Sequence, residues 1–142
     1  MSTRTASAHW QGTLKEGSGV LRTGKGGYEG NFSFQSRFEE GEGTNPEELI
    51  GAAHAGCYSM ALSGGLTTAG FPPTSIETGA AVQLERVDGA PTVTRIDLST
   101  VAEVPGIDEA QFLEIAEKTK ETCPISRLLA PGTEITLTAK LA

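Results

Sequence analysis

The stretch "NPEELIGAAHAGCYSMALSGGL", residues 45–66, constrains the fold more than any other part of the chain. Asn45 is a helix-capping residue, Pro46 suits a first helical turn, and Glu48 stands where a capping box places its acid. Glu47 and Glu48 both suit the positive end of the helix dipole. The spacing predicts a helix over Pro46–Leu66, frayed or closed at Gly64–Gly65. Between Leu49 and Leu66 only His54 is a candidate cation, and alanines and glycines spread around the whole axis. A helix without a polar face is enclosed on several sides. A chain of 142 residues, about one domain, has few layers with which to enclose it. Burial at a subunit interface is therefore expected, and a sheet wrapped around the helix is the alternative.

The remaining composition removes several function classes. Net charge is −7 and no basic block occurs, so the concentrated positive field of a nucleic-acid groove is missing. The opening "MSTRTASAHWQG" holds no apolar run of the secretory type. The most apolar piece is interrupted by His54, glycines and serines and falls short of a membrane span. A single domain over residues 1–142, soluble and cytoplasmic, is expected. A lasting structural disulfide is unusual in that compartment.

Around the helix the chain reads as α+β. "SAHWQGTL", "GSGVLRT" and "NFSFQSRF" are expected as an antiparallel meander, with Phe32, Phe34 and Phe38 on one face and Arg37 on the other. After "GFPPTSIET" comes a hairpin, "GAAVQLERV" and "TVTRIDLSTVAEV" about the turn "DGAP", with Thr94, Ile96, Leu98, Thr100 and Ala102 inward. Asp108 caps a second helix whose packed stripe is Phe112, Ile115, Ala116 and Thr119. Cys123 caps a short helix begun by Pro124, and "TEITLTAKL" closes the fold as a strand. "GKGGYEG" lacks the lysine-serine ending of a phosphate-binding loop, so nucleotide binding has little support.

The two cysteines, Cys57 and Cys123, admit three readings. His54 and Cys57 share a helix face, so a site of two cysteines and one histidine can be drawn, yet no CxxC or paired-histidine spacing accompanies it. Both thiols can also be inert small hydrophobes. The third reading is a reactive pair. Arg37 supplies a fixed cation, Glu47 can grip its fork, and Cys123 stands where a helix start favours a thiolate. A thiolate that attacks an O–O bond needs a cation near the departing oxygen and a second thiol to resolve the sulfenic acid. The sequence holds those parts without bringing them together.

The blocks "AHWQG", "FSFQSRFE", "GTNPEELIGAAHAGCYSMALS", "GFPPTSIET", "VPGIDEAQF" and "CPISRLL", in this order, resemble the osmotically inducible protein C family, the OsmC/Ohr peroxidases, and its OsmC branch in particular. The resemblance implies antiparallel sheets wrapped around long central helices in an intertwined homodimer with shared active sites. It implies a thiol peroxidase that reduces organic hydroperoxides, and hydrogen peroxide less readily, without a cofactor or metal. Cys57 matches the peroxidatic cysteine, Cys123 the resolving cysteine, Arg37 the activating arginine and Glu47 the glutamate that orients it. An external dithiol, of lipoyl type, is the implied reductant. Phe38, Tyr58, Met60, Ile125 and Leu128 are candidates for an apolar entrance. Glu47 and Cys57 are ten residues apart, about 15 Å along a straight helix, so a site using both is expected to draw on two subunits. The competing functions are a non-catalytic dimeric binding or stress-protection module and a Cys/His metal-binding protein.

Overall fold

The computed structural model describes residues 1–142 and resolves into two compact units, Met1–Leu49 and Ile50–Ala142. In the first, β1 (Ala6–Gln11), β2 (Ser18–Thr23) and β3 (Glu29–Ser33) form the expected antiparallel meander in the order β1-β2-β3. The ring of Trp10 tilts against that of Phe32 across the sheet, their centroids 5.2 Å apart.

The third strand ends earlier than its alternation suggests. Phe34–Phe38 is a short helix, α1, and not the continuation of β3. Ser33 and Ser36 form a reciprocal capping box: each hydroxyl accepts from the other residue's backbone N–H, at 3.1 and 2.9 Å. This local bonding overrides the period-two pattern of Phe32 and Phe34. Arg37 consequently projects from the last turn of α1, not from the far side of a strand, and Phe38 is 42% exposed and not a core residue.

The long helix α2 spans Pro46–Thr68, two residues beyond the predicted end. Asn45 Oδ1 accepts from the Glu48 N–H at 2.8 Å, as the capping signal requires. The reciprocal half of that box is not made, because the Glu48 carboxylate accepts from the Thr44 hydroxyl instead. Gly64 and Gly65 lie within the helix. It closes at Gly70, whose φ of +93° permits the left-handed turn, with Phe71 N–H donating to Leu66 C=O and Gly70 N–H to Thr67 C=O.

In the second unit β4 (Ser75–Val87) and β5 (Ala90–Glu103) make the hairpin, turning at Asp88 and Gly89, both with positive φ. Asp108 caps α3 (Glu109–Thr122) by accepting from the Gln111 N–H, and Cys123 caps α4 (Pro124–Leu129). β6 (Glu134–Leu141) then returns beside β5 in the order β4-β5-β6. The sheet is mixed where an antiparallel one was expected: β6 runs parallel to β5, because α3 and α4 carry the chain back to the starting end between them.

The core of this unit lies between the sheet and its helices. Ile96, Leu98, Thr100 and Ala102 alternate inward from β5 and meet Tyr58, Leu62 and Leu66 of α2 and Phe112 and Ala116 of α3. Tyr58 is fully buried, its hydroxyl donating to Ala116 C=O at 3.0 Å, so it is core and not entrance. No helix is long and apolar enough to cross a membrane.

Candidate active site

Each unit carries one half of the predicted chemistry. In Met1–Leu49, the loop after α1 folds back so that the Ser36 hydroxyl donates to Thr44 C=O at 2.6 Å and Asn45 Nδ2 donates to Ser36 C=O at 3.0 Å. These bonds fix the end of α1 against the first turn of α2. Arg37 is thereby brought to Glu47. Its Nε lies 3.2 Å from both carboxylate oxygens and its Nη2 2.7 Å from Oε1. The Arg37 side chain keeps 37% of its surface exposed, whereas that of Glu47 keeps 11%. The glutamate is the anchor and the guanidinium the presented group. Its plane also meets the Phe38 ring, with Cζ 5.2 Å from the centroid. Beside it opens a cleft of about 250 Å³, lined by Trp10, Leu14, Phe32, Phe34 and Phe38.

In Ile50–Ala142, Cys57 of α2 meets Cys123 at the junction of α3 and α4, and both are free thiols. Cys57 is half-buried and Cys123 buried. Burial pushes the Cys57 thiol up, the neighbouring Cys123 adds to the rise, and the Ile125 backbone N–H pulls the other way. No cation within this unit offsets the rise. A positive charge brought beside Cys57 would favour its thiolate.

Cys123 is held by its cap. Its Sγ accepts from the Ser126 N–H at 3.4 Å and stands 3.0 Å from Ser126 Oγ. Ser126 Oγ in turn stands 2.7 Å from His54 Nε2. His54 is fully buried, and burial lowers its pKa, leaving the ring neutral at neutral pH. With Nε2 committed to Ser126, the drawn site of two cysteines and one histidine has no imidazole free on that side, and no three His, Cys, Asp or Glu side chains converge as metal ligands. Ser126 was not singled out from the sequence. Its signal is the position three residues after a capping residue, where a side chain reaches back to the cap.

The remaining entrance candidates separate. Phe38 lines the cleft beside Arg37, Met60 and Leu128 are 79% and 71% exposed, and Ile125 is half-buried.

The sequence profile of the family described as OsmC-like protein matches residues 39–138. The chain belongs to the OsmC-like family. Among curated relatives of this family, the chain is 48% identical to Peroxiredoxin OsmC of Escherichia coli (strain K12) over 139 residues, 97% of this chain and 96% of that protein. It is 27% identical over 99 residues to the organic hydroperoxide resistance protein of Xanthomonas axonopodis pv. citri (strain 306), 69% of this chain and 68% of that one. The OsmC-like fold is also that of a crystal structure from Legionella pneumophila, titled an organic hydroperoxide resistance protein OsmC. The TM-score is 0.77 at 20% identity, covering 100% of this chain and 98% of that one.

Proposed function

We infer that this OsmC-like chain is a cysteine-based peroxidase that reduces organic hydroperoxides to alcohols. The observation that carries this reading is the convergence of Cys57 and Cys123 from α2 and the α3–α4 junction, in a chain 48% identical to a peroxiredoxin. Cys57 as thiolate attacks one peroxide oxygen; the O–O bond breaks, Cys57 becomes a sulfenic acid and the alkoxide leaves as alcohol after taking a proton. Cys123 then displaces the sulfenic hydroxyl as water and forms the Cys57–Cys123 disulfide. An external dithiol, lipoyl-linked in the reading favoured here, reduces it by two thiol–disulfide exchanges. A cycle that needs free thiols at its start suits the reducing cytoplasm.

Arg37 activates Cys57 and meets the charge that develops on the departing oxygen, and Glu47 holds its fork. Two features support a homodimer in which the Arg37–Glu47 pair of one subunit serves Cys57 of the other. Burial raises the Cys57 pKa, and an outside cation beside it would favour the thiolate. Glu47 and Cys57 lie on one unbroken helix, separated by about 15 Å of helical rise. The whole chain then works as one functional domain, with the apolar cleft beside Arg37 receiving the alkyl portion of the substrate.

The test is turnover of an alkyl hydroperoxide with a dithiol present. Cys57→Ser abolishes it, because a hydroxyl at its ordinary pKa does not replace the thiolate. Cys123→Ser retains the first stoichiometric oxidation and accumulates a sulfenic acid that dimedone traps. A Cys57→Ser protein that still consumed peroxide rapidly at Cys123 would reverse the two roles.

A further inference from the structure

We propose that Ser126 and His54 form a buried proton relay that deprotonates Cys123 when it closes the disulfide. The proposal rests on the reading of Cys123 as the resolving thiol. Three groups stand in line: Cys123 Sγ, Ser126 Oγ at 3.0 Å, and His54 Nε2 a further 2.7 Å on. All three residues are within 1% of complete burial, so no bulk water reaches the thiol to take its proton.

The direction of the line follows from the donors available. The Cys123 thiol donates to Ser126 Oγ, and the Ser126 hydroxyl proton then points at His54 Nε2, the other partner of that oxygen. Nε2 is thus the accepting nitrogen, and the ring hydrogen sits on Nδ1. Nδ1 is buried with no partner. A histidine kept only for packing gains nothing from an orphaned polar atom, whose lost hydrogen bond destabilises the fold. A histidine kept as an acceptor needs Nε2 alone. The ring is also in its accepting form at neutral pH, because burial lowers its pKa. No charged side chain contributes to that shift; the titratable groups around it are Cys57 and Tyr58, one turn along α2, with Glu117 acting on Tyr58, and Cys123 at the cap of α4.

In the resolving step the Cys123 S–H proton passes to Ser126 Oγ as the Ser126 hydroxyl proton passes to His54 Nε2. The Cys123 sulfur attacks the sulfenic sulfur of Cys57, the S–S bond forms and the S–O bond breaks. The departing hydroxide takes up the proton that His54 received, passed back through Ser126 Oγ, and leaves as water. One thiol and one sulfenic acid give one disulfide and one water, with no other oxidant or reductant. His54 acts through Ser126 and is a positioning residue; Ser126 touches the reacting sulfur.

The experiment is a single turnover of the full-length protein with one equivalent of cumene hydroperoxide, quenched into dimedone and followed by mass spectrometry. Sulfenic acid formation and disulfide formation are thereby timed separately. His54→Gln keeps an acceptor for Ser126 but cannot take the proton, and Ser126→Ala removes one oxygen and breaks the line independently. In both variants the sulfenic acid forms as in wild type, and disulfide formation slows by about 10²-fold at pH 7. In wild type that second step is flat from pH 7 to 8, where His54 stays neutral. In the variants it rises with pH, because removal of the thiol proton then depends on solvent hydroxide. Thermal melting confirms folding, and if His54→Gln does not fold, Ser126→Ala decides. Disulfide formation with wild-type rate and pH profile in a folded variant overturns the relay, as does equal slowing of both steps. A wild-type protein that forms no Cys57–Cys123 disulfide overturns the resolving role itself, a result visible before any variant is made.

Discussion

Arg37 is the residue at which charge and packing separate most cleanly. It sits at the end of a five-residue helix, exposed on one side and gripped by Glu47 on the other, with no part in either hydrophobic layer. Arg37→Met removes the cation and keeps much of the aliphatic length. The Glu47 carboxylate then loses its fork but remains next to Asn45 and the first turn of α2, whose dipole favours it. The expected result is a folded protein in which the first oxidation slows by about 10²–10³-fold. Arg37→Lys falls between, since an ammonium keeps the charge but cannot make the three contacts of the guanidinium with one carboxylate. Stopped-flow oxidation by an alkyl hydroperoxide, paired with thermal melting, checks both. Equal rates in wild type and Arg37→Met would remove the arginine from the chemistry and leave the raised Cys57 thiol to another cation.

The elements are governed by caps, and the caps make quantitative expectations. Asn45→Ala removes the acceptor for the Glu48 N–H and is expected to cost about 1 kcal/mol in urea unfolding. Gly70→Ala meets no neighbouring atom, so its cost is purely that of a side chain in the left-handed region, about 1–2 kcal/mol. If Gly70→Ala leaves the midpoint unchanged, the left-handed closure of α2 is not what ends the helix. The same chemistry explains what was legible in the sequence. Asn45, Asp108 and Cys123 were identified as caps because a cap is a bond between a side chain and backbone two or three residues away. The failure at Phe34–Phe38 has the same origin: "SFQS" is itself a cap, Ser33 with Ser36, hidden beneath alternating phenylalanines. The pairing of Arg37 with Glu47 was legible as chemistry, though its route through a helix and a folded-back loop was not. The parallel course of β6 and the contact of His54 with Ser126, 72 residues away, depend on how distant segments return, which no local pattern encodes.

At the scale of the whole molecule the long helix poses the same question as its sequence. Gly51, His54, Tyr58, Leu62 and Leu66 form its buried stripe, while Ala52, Ala53, Gly56, Met60 and Gly64 on the other side are exposed in the single chain. The sheet covers one side only, and the uncovered side carries no charge from Ala52 to Gly64. Gly56 and Gly64 are informative here. A Cβ at either would meet nothing within 4 Å, and alanine would favour the helix by about 1 kcal/mol, so the chain alone gives no reason for glycine at these positions. A second helix approaching closely does. The expected outcome is a dimer at micromolar concentration in sedimentation velocity. Met60→Glu puts a charge into the centre of that face without disturbing the core, Met60 being 79% exposed within one chain. If α2 packs on its counterpart, Met60→Glu dissociates the dimer and peroxidase turnover falls with it, because Cys57 loses the Arg37 of the other subunit. Val87→Glu, at the exposed tip of the β4–β5 hairpin, changes neither. A wild-type protein that sediments as a folded monomer and still turns over peroxide would place Arg37 and Cys57 of one chain in the same site, and the shared-site reading would fail.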